Sequence, residues 1–540
     1  MLKSSNKIIY LFFSILFFLL NFYSLTNFWL HTEDVYFDEN YFVEDYFSNI
    51  LSKDIVIWDF YIKRWFQGVI DNFFFPFSLS VYSHHFFRIC TLLTSIFAAC
   101  YLYKICNKIN SNNYLNFFLV FAIFNLPAII FFNFLSSGFT IFILIIILIY
   151  IFQELNEKKT IDKINYFFYF LLFSICFGIY PFYCFIFLSL ICIKTIFIKN
   201  FKDLQLYFLH FFGLFLVFFI INYLISNSVN IFVWKIISNN APYPNFNHAL
   251  YNGDLSDLFN IIYKIKRYIL EWLPNETNLW NIYISDFVSI IFISLIIILL
   301  IRAIILEKKN LNLFFLKIFI FLICYSTPIF AWILIKSDIH GFRLIFPSQL
   351  TLFIFLFFIF YINNFFQFKL FKYLIFLVVA AIFLNSFLIV KKQVLLNLKE
   401  LDFIEKNSNS RFSHIHFKLR KFDGKNVEGG KFYYSEFFMP ATFRWSELDR
   451  FTRYSSHKRN KKFIFHDCSS TSFIDNIIVD IQKCYKNSKS KEVLVTFESP
   501  QLINQKKFNV RQRWHIYKKE NINIHKQKKD YLFLDLGEIK

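Results

Sequence analysis

The chain of 540 residues is 57% hydrophobic and only 17% charged, and its formal net charge is +20 at pH 7. Its apolar residues come in runs of about 17 to 25, the length with which a helix crosses a bilayer, so the composition excludes an ordinary soluble domain. In a soluble protein this charge would suggest nucleic acid. Here much of it lies in short loops, where it sets membrane topology, and we expect no nucleic-acid partner.

The apolar runs predict an all-α polytopic membrane protein, with about eleven transmembrane helices in residues 1–392 and a small soluble domain in residues 393–540. The predicted spans are Ile8–Leu30, His85–Tyr103, Tyr114–Phe134, Thr140–Gln153, Tyr166–Ile179, Phe182–Ile198, Leu206–Ile225, Ile284–Ile301, Leu313–Ile335, Phe346–Ile362 and Tyr373–Val390.

The short connections between the spans predict the orientation, because Lys and Arg in short loops stay in the cytoplasm. With a cytoplasmic N-terminus, every cytoplasmic connection is basic. These connections carry Lys3 and Lys7, Lys104 and Lys108, Lys158, Lys159 and Lys163, Lys199 and Lys202, Arg302, Lys308 and Lys309, and Lys369 and Lys372. The outer side then receives two long loops, 31–84 and 226–283, and the C-terminal domain.

The first outer loop begins with a dense acidic cluster, directly after the first span. Its members are Glu33, Asp34, Asp38, Glu39, Glu44 and Asp45, six carboxylates within thirteen residues. Negative charge beside hydrocarbon is costly unless it faces water, a cation or a reacting centre. In a helical stretch Asp34 and Asp38 would share a face, and such a pair can bind a divalent cation or accept a proton from a hydroxyl. A merely solvated loop is the alternative.

Three arginines at the outer boundary are candidate phosphate ligands. Arg64 stands beside Trp65 in the first outer loop, Arg88 lies a few residues into the second span, and Arg343 follows His340 and a glycine just before the tenth span. Arginine can hold a phosphate with two hydrogen bonds, and an indole ring can stack on a sugar. Anchoring in the interface and snorkelling to lipid phosphate are the alternatives.

Two further segments have predicted structure on the outer side. Leu255–Trp272 has the apolar pattern of a helix lying in the interface, where it either roofs a lipid groove or simply packs on the bundle. In the tail, strands at Lys462–His466, Glu492–Phe497, Trp514–Tyr517 and Tyr531–Leu536 with a helix at Phe473–Tyr485 predict an α/β or α+β domain. Cys468 and Cys484 form either a disulfide or two thiols there.

Four short patches of this sequence resemble the integral-membrane glycosyltransferases of the GT-C superfamily, most closely the bacterial O-antigen glucosyltransferases of the membrane type. The patches are Asp38-Glu39-Asn40-Tyr41-Phe42, Lys63-Arg64-Trp65-Phe66, Gly178-Ile179-Tyr180-Pro181-Phe182 and Gly341-Phe342-Arg343. As topology, the resemblance covers roughly the first 400 residues. As motif, it covers the four patches alone.

The resemblance implies a GT-C-like fold in the bacterial inner membrane, and transfer of a sugar from a polyprenyl-phosphate donor to a glycan, lipid or protein acceptor on the outer side. It makes Asp34, Asp38 and Glu39 candidate catalytic bases or cation ligands. Whether the reaction needs a divalent cation as cofactor is left open. The candidate substrate-binding residues are Arg64, Trp65, Arg88, His340 and Arg343. A polysaccharide polymerase or ligase, and a transporter or flippase of lipid-linked glycan, remain alternatives.

Overall fold

The computed structural model describes residues 4–27, 64–67, 70, 81–110, 112–135, 138–157, 162–237, 259, 261–262, 286–333, 342–364, 373, 376–388, 390–391, 394–395, 398, 414–418, 464–467, 494–495, 525–528 and 531–535. The described residues separate into two compact units. The first contains those of 1–22, 45–76 and 86–388, and the second contains those of 23–44, 77–85 and 389–540.

The elements before residue 399 are helical. They are α1 (Ser4–Leu20), α2 (Phe22–Thr26), α3 (Val81–Ile109), α4 (Asn113–Ile123), α5 (Pro127–Phe134), α6 (Gly138–Glu157), α7 (Lys163–Ile179), a 3₁₀ turn at Pro181–Phe185, α8 (Ile186–Phe197), α9 (Phe201–Ile237), α10 (Asp286–Leu306), a 3₁₀ turn at Lys308–Asn310, α11 (Leu311–Ile333), α12 (Phe342–Ile362) and α13 (Phe376–Leu388).

Among the described residues, four helical segments are long and apolar enough to cross a membrane: His84–Ile109, Gly138–Glu157, Phe201–Ser226 and Lys308–Ala331. The protein is therefore a helical integral membrane protein. Each of the eleven predicted spans overlaps an apolar helical segment of the described residues, but seven of these segments are shorter, with 10–17 residues. The number of spans stays a prediction.

Two predicted spans contain breaks. The first was predicted to continue to Leu30, but α1 ends at Leu20, where the Asn21 side chain donates a hydrogen bond to the Phe17 carbonyl at 3.0 Å. The run Tyr114–Phe134 forms two helices. Leu126 is extended (φ −64°, ψ 149°) because the ring of Pro127 disfavours a helical conformation in the residue before it.

In the first unit, one set of side-chain contacts joins the ends of several helices. Lys108 at the end of α3 forms an ion pair with Glu157 at the end of α6. Lys317 of α11 donates a hydrogen bond to the Ile196 carbonyl in the last turn of α8, at 2.7 Å. We call this end of the bundle the Lys108 end. Loops with predicted cytoplasmic positions begin here, while the orientation itself stays a prediction.

Another set of contacts joins the opposite helix ends. The Thr91 hydroxyl of α3 lies 3.2 Å from the Leu135 carbonyl that follows α5. At the start of α6, a Cβ on Gly138 would collide with the carbonyl oxygen of Phe132, so glycine permits the tight turn between these helices. The Ser348 hydroxyl of α12 donates to the Tyr325 carbonyl of α11 at 2.9 Å. We call this end the Arg64 end.

The centre of the first unit is α8, whose residues 186–193 are all buried. A helix that is apolar all round belongs in the interior of a bundle. The outer helices α9 and α11 keep apolar faces exposed, including Leu206, Val217 and Leu224 on α9 and Phe319 and Phe330 on α11. These faces suit contact with lipid chains.

In the second unit, five strands form one mixed sheet: β1 (His414–Lys418), β2 (Ile464–Asp467), β3 (Leu494–Val495), β4 (His525–Lys528) and β5 (Tyr531–Asp535). β1 pairs in parallel with β2 and β5, and β3 and β4 pair antiparallel with β5. Three of these strands overlap predicted ones. The predicted strand Trp514–Tyr517, the predicted helix Phe473–Tyr485 and both cysteines lie outside the described residues, and the domain itself stays a prediction.

Candidate functional site

Arg64 lies on an aromatic ring at the Arg64 end of the bundle. Its guanidinium carbon is 3.9 Å from the centroid of the Tyr180 ring, and its side chain is half-buried. Among the described residues, no carboxylate or hydrogen-bond acceptor contacts this guanidinium. A guanidinium that stacks on an aromatic ring contacts it through its flat face. The N–H donors along the edge of the guanidinium therefore stay available to an anion.

Trp65 and Phe66 hold this segment against the end of α7. A Cβ added to Gly178 would lie 2.6 Å from Cε2 of Trp65 and 2.8 Å from Cβ of Phe66, well inside ordinary contact. Glycine at this position therefore lets the loop segment approach the helix closely. Two patches that the sequence places far apart meet here, the second through Gly178 and the first through its described residues Arg64–Phe66.

Below Arg64, four aromatic rings form a buried group that we call the aromatic column: Tyr180, Tyr183, Phe132 and Phe346. The Tyr180 and Tyr183 rings stack at 4.5 Å between centroids. Tyr183 in turn makes edge contacts with Phe132 of α5 and with Phe346 of α12, each at 5.5 Å. Stacked and edge-to-face pairs at these separations are favourable and hold their rings in fixed positions.

The 3₁₀ turn at Pro181–Phe185 creates the column. Tyr180 is extended (φ −154°, ψ 98°) and ends α7, because Pro181 prevents the preceding residue from continuing the helix. The turn then places Tyr180 and Tyr183 three residues apart, the spacing at which side chains of a 3₁₀ turn stand in line. The helix break at Tyr180-Pro181 therefore positions the ring that contacts Arg64.

The first turn of α12 approaches the same column. Arg343 is the second residue of α12, one turn before Phe346, and its side chain lies outside the described atoms. Pro347 lacks an N–H, so the Arg343 carbonyl loses its helical donor. The Pro347 carbonyl is held by the buried hydroxyls of Thr351 and Ser189, at 3.0 and 3.1 Å, and the Ser189 bond ties α12 to α8.

Arg88 is buried in α3, with 1% of its surface exposed. This burial favours a place inside the protein over snorkelling to lipid phosphate, and the role of Arg88 stays a prediction. Arg88, Thr91 and Ser95 follow one another at spacings of three and four residues and form a buried polar stripe on one face of α3. Thr91 contacts the connection between α5 and α6, so the stripe faces the interior of the first unit.

A buried amide stands next to the column. Asn133 is the neighbour of Phe132 in α5 and is 2% exposed, and among the described residues neither its amide oxygen nor its amide nitrogen has a hydrogen-bond partner. A polar group buried without partners destabilises the fold by roughly 1–3 kcal/mol. Sequence reasoning missed Asn133, Tyr183 and Phe346, because all three stand within apolar runs. The aromatic spacing after Pro181 is the one signal that points to Tyr183.

The segment predicted to lie in the outer interface is described at residues 259, 261 and 262. Ile261 packs against Ile329 and Ile333 of α11, as does Phe182 just after the helix break. Phe259 and Ile262 are 69% and 52% exposed. Ile261 thus packs on the bundle, whereas the apolar side chains of Phe259 and Ile262 are exposed.

Asp34, Asp38 and Glu39, the candidate bases, and His340 lie outside the described residues. Within the part of the chain that the structure describes, no three His, Cys, Asp or Glu side chains come together as metal ligands. The site as described consists of Arg64, the aromatic column below it and the first turn of α12.

The fold and this site define a helical integral membrane protein with a cationic, aromatic site at one end of its bundle. In comparisons with family models, curated proteins and solved structures, the chain matches none.

Proposed function

We propose that the protein is a membrane glycosyltransferase that moves a sugar from a polyprenyl-phosphate donor to an acceptor hydroxyl on a glycan, lipid or protein. The observation that carries the proposal is the half-buried Arg64, which stands on Tyr180 without an acidic partner among the described residues. A cation in such surroundings favours an anionic ligand, and a phosphate matches the donor edge of a guanidinium.

The positions of the sequence patches support the same proposal. Of the four patches that carry the resemblance to the GT-C superfamily, two meet where Trp65 contacts Gly178. A third reaches the same column through α12, where Arg343 stands one turn before Phe346. The fourth contains Asp38 and Glu39. We assign it to the same site because the resemblance implies a base there.

In the proposed reaction, the acceptor oxygen attacks the anomeric carbon of the donor sugar, and the bond from that carbon to the phosphate oxygen breaks. The polyprenyl phosphate leaves with the additional negative charge, which Arg64 stabilises. The proton of the acceptor hydroxyl passes to one carboxylate of the acidic cluster, with Asp38 first, then Glu39 and Asp34. We place the reaction on the outer face of a bacterial inner membrane, with the C-terminal domain on that side.

The apolar surface near the site suits a lipid-linked donor. Phe259 and Ile262 are exposed on either side of Ile261, which packs against the same residues of α11 as Phe182, two residues from Tyr180. A phosphate held by Arg64 would therefore have apolar side chains within reach for its isoprenoid chain. This arrangement would place the reacting group at the membrane boundary and keep the chain in hydrocarbon.

The experiment is sugar transfer by purified protein in proteoliposomes that contain a polyprenyl-phosphate sugar with a labelled sugar. We expect Asp38→Asn to abolish transfer and Arg64→Ala to reduce it by at least about tenfold, because one charge-assisted hydrogen bond is worth about 1.5–3 kcal/mol. Arg302→Ala is the matched control, because Arg302 is exposed in α10, whose end lies at the Lys108 end.

Three results would count against the proposal. Full transfer by Asp38→Asn would move the base to Asp34 or Glu39, or remove the acidic cluster from the reaction. Equal losses in Arg64→Ala and Arg302→Ala would remove the role of Arg64. Movement of the lipid across the bilayer without any sugar transfer by the wild-type protein would identify a flippase instead.

A further inference from the structure

The guanidinium of Arg64 lies on the ring of Tyr180. The loop segment that carries it contacts the bundle through Trp65 and Phe66 at Gly178, and the guanidinium itself contacts Tyr180 at 3.9 Å. Among the described residues no ion pair or hydrogen bond fixes this guanidinium. An arginine side chain has large rotamer entropy, so a group without hydrogen bonds stays in one place only if another contact holds it.

Tyr180 is itself held rigidly. It is 7% exposed, and its ring stacks on Tyr183, which is fully buried. Tyr183 is held from two further sides by Phe132 and Phe346. The ring below Arg64 is thus connected to α5 and α12 through Tyr183, and Phe346 stands one turn after Arg343 on α12.

We propose that Tyr180 is a positioning residue, which holds the guanidinium of Arg64 by its face and turns the donor edge toward a phosphate ester. The aromatic column contacts Arg64 through Tyr180 and includes Phe346 in the first turn of α12. One rigid group thus sets the position of Arg64 relative to the turn that contains Arg343. Tyr180 does not touch the ligand in this proposal; its ring acts through Arg64. The inference rests on the proposed function for the identity of the ligand as a lipid phosphate.

The test measures binding of farnesyl phosphate, which carries no sugar, to purified protein in detergent. The wild-type protein is compared with Tyr180→Phe, Tyr180→Leu, Arg64→Ala and the double variant Arg64→Ala with Tyr180→Leu. Tyr180→Phe keeps the ring, so binding should stay within about twofold of wild type. Tyr180→Leu removes the ring, and we expect the Kd to rise about tenfold, since a guanidinium that must be ordered on binding loses affinity.

The double variant separates positioning from a general structural effect. If Tyr180 acts through Arg64, then Tyr180→Leu has no further effect on the Kd in the Arg64→Ala background, and the two changes are strongly non-additive. Additive losses, or equal losses from Tyr180→Phe and Tyr180→Leu, would overturn the inference. A fall in melting temperature of Tyr180→Leu with an unchanged Kd would overturn it as well.

Binding and transfer also distinguish this inference from the proposed function. A wild-type protein that binds farnesyl phosphate with the expected coupling but transfers no sugar would contradict the proposed function and leave the positioning role intact. A wild-type protein that transfers sugar while Tyr180→Leu binds and reacts normally would contradict the positioning role alone.

Discussion

An added methyl group at Gly178 should weaken the site. An alanine Cβ there would stand 2.6 Å from Cε2 and 2.8 Å from Nε1 of Trp65, whereas carbon atoms in contact stay about 3.5–4.0 Å apart. The Trp65 segment must therefore retreat by about 1 Å, which moves the neighbouring Arg64 off its ring. Such overpacking costs about 1–3 kcal/mol, and a displacement of about 1 Å at a site lowers activity by up to about 100-fold.

Melting temperature and sugar transfer test this expectation together. Helix propensity alone predicts the opposite sign, because alanine in a helix is more stable than glycine by about 0.5–1 kcal/mol. Gly213→Ala in α9 is the matched control: nothing lies within 4 Å of its added Cβ, so stability should rise and transfer should not change. If Gly178→Ala behaves like Gly213→Ala, the contact between Trp65 and α7 and the reasoning built on it are wrong.

Two further substitutions test the interior of the first unit. Lys317→Met should lower the stability by about 1–2 kcal/mol, because the Ile196 carbonyl at the end of α8 loses its donor. A rise in melting temperature would contradict this expectation. It would mean that burying the ammonium group costs more free energy than its hydrogen bond contributes. Asn133→Leu should raise the stability by about 1–3 kcal/mol, since it removes a buried amide that has no partner among the described residues. Asn222→Leu is its control, because the Asn222 amide is bonded to the Phe218 carbonyl, and a gain there as large as at Asn133 would contradict the argument.

The positions of the helices could be predicted from the sequence because apolar runs report them directly. The ends of the helices were harder to predict. The run Ile8–Leu30 is continuous in hydropathy, yet α1 ends at Leu20, so hydropathy alone does not predict this helix end. The break before Pro127 was missed, because Tyr114–Phe134 was predicted as one span although proline restricts the residue before it.

The site was predictable only in its separate parts. Arg64, Trp65 and the break at Tyr180-Pro181 were each singled out, but their contact depends on the packing of a loop on α7, which no local pattern specifies. Tyr183 and Phe346 were hidden because these helices are apolar on most faces, so periodicity does not separate the lipid-facing side from the interior. The role of Lys317 was not predictable for a related reason. A single cation within a span does not indicate which carbonyl it bonds, here that of Ile196.

The most direct test of the central claim is to map where a polyprenyl phosphate with a photoreactive group beside its phosphate cross-links to the protein in proteoliposomes. Our account predicts cross-linked peptides at the Arg64 end, from residues 64–66, 178–183 and 342–346, and their loss in Arg64→Ala. Cross-links at the Lys108 end, near residues 104–108 or 199–202, that persist in Arg64→Ala would contradict the account.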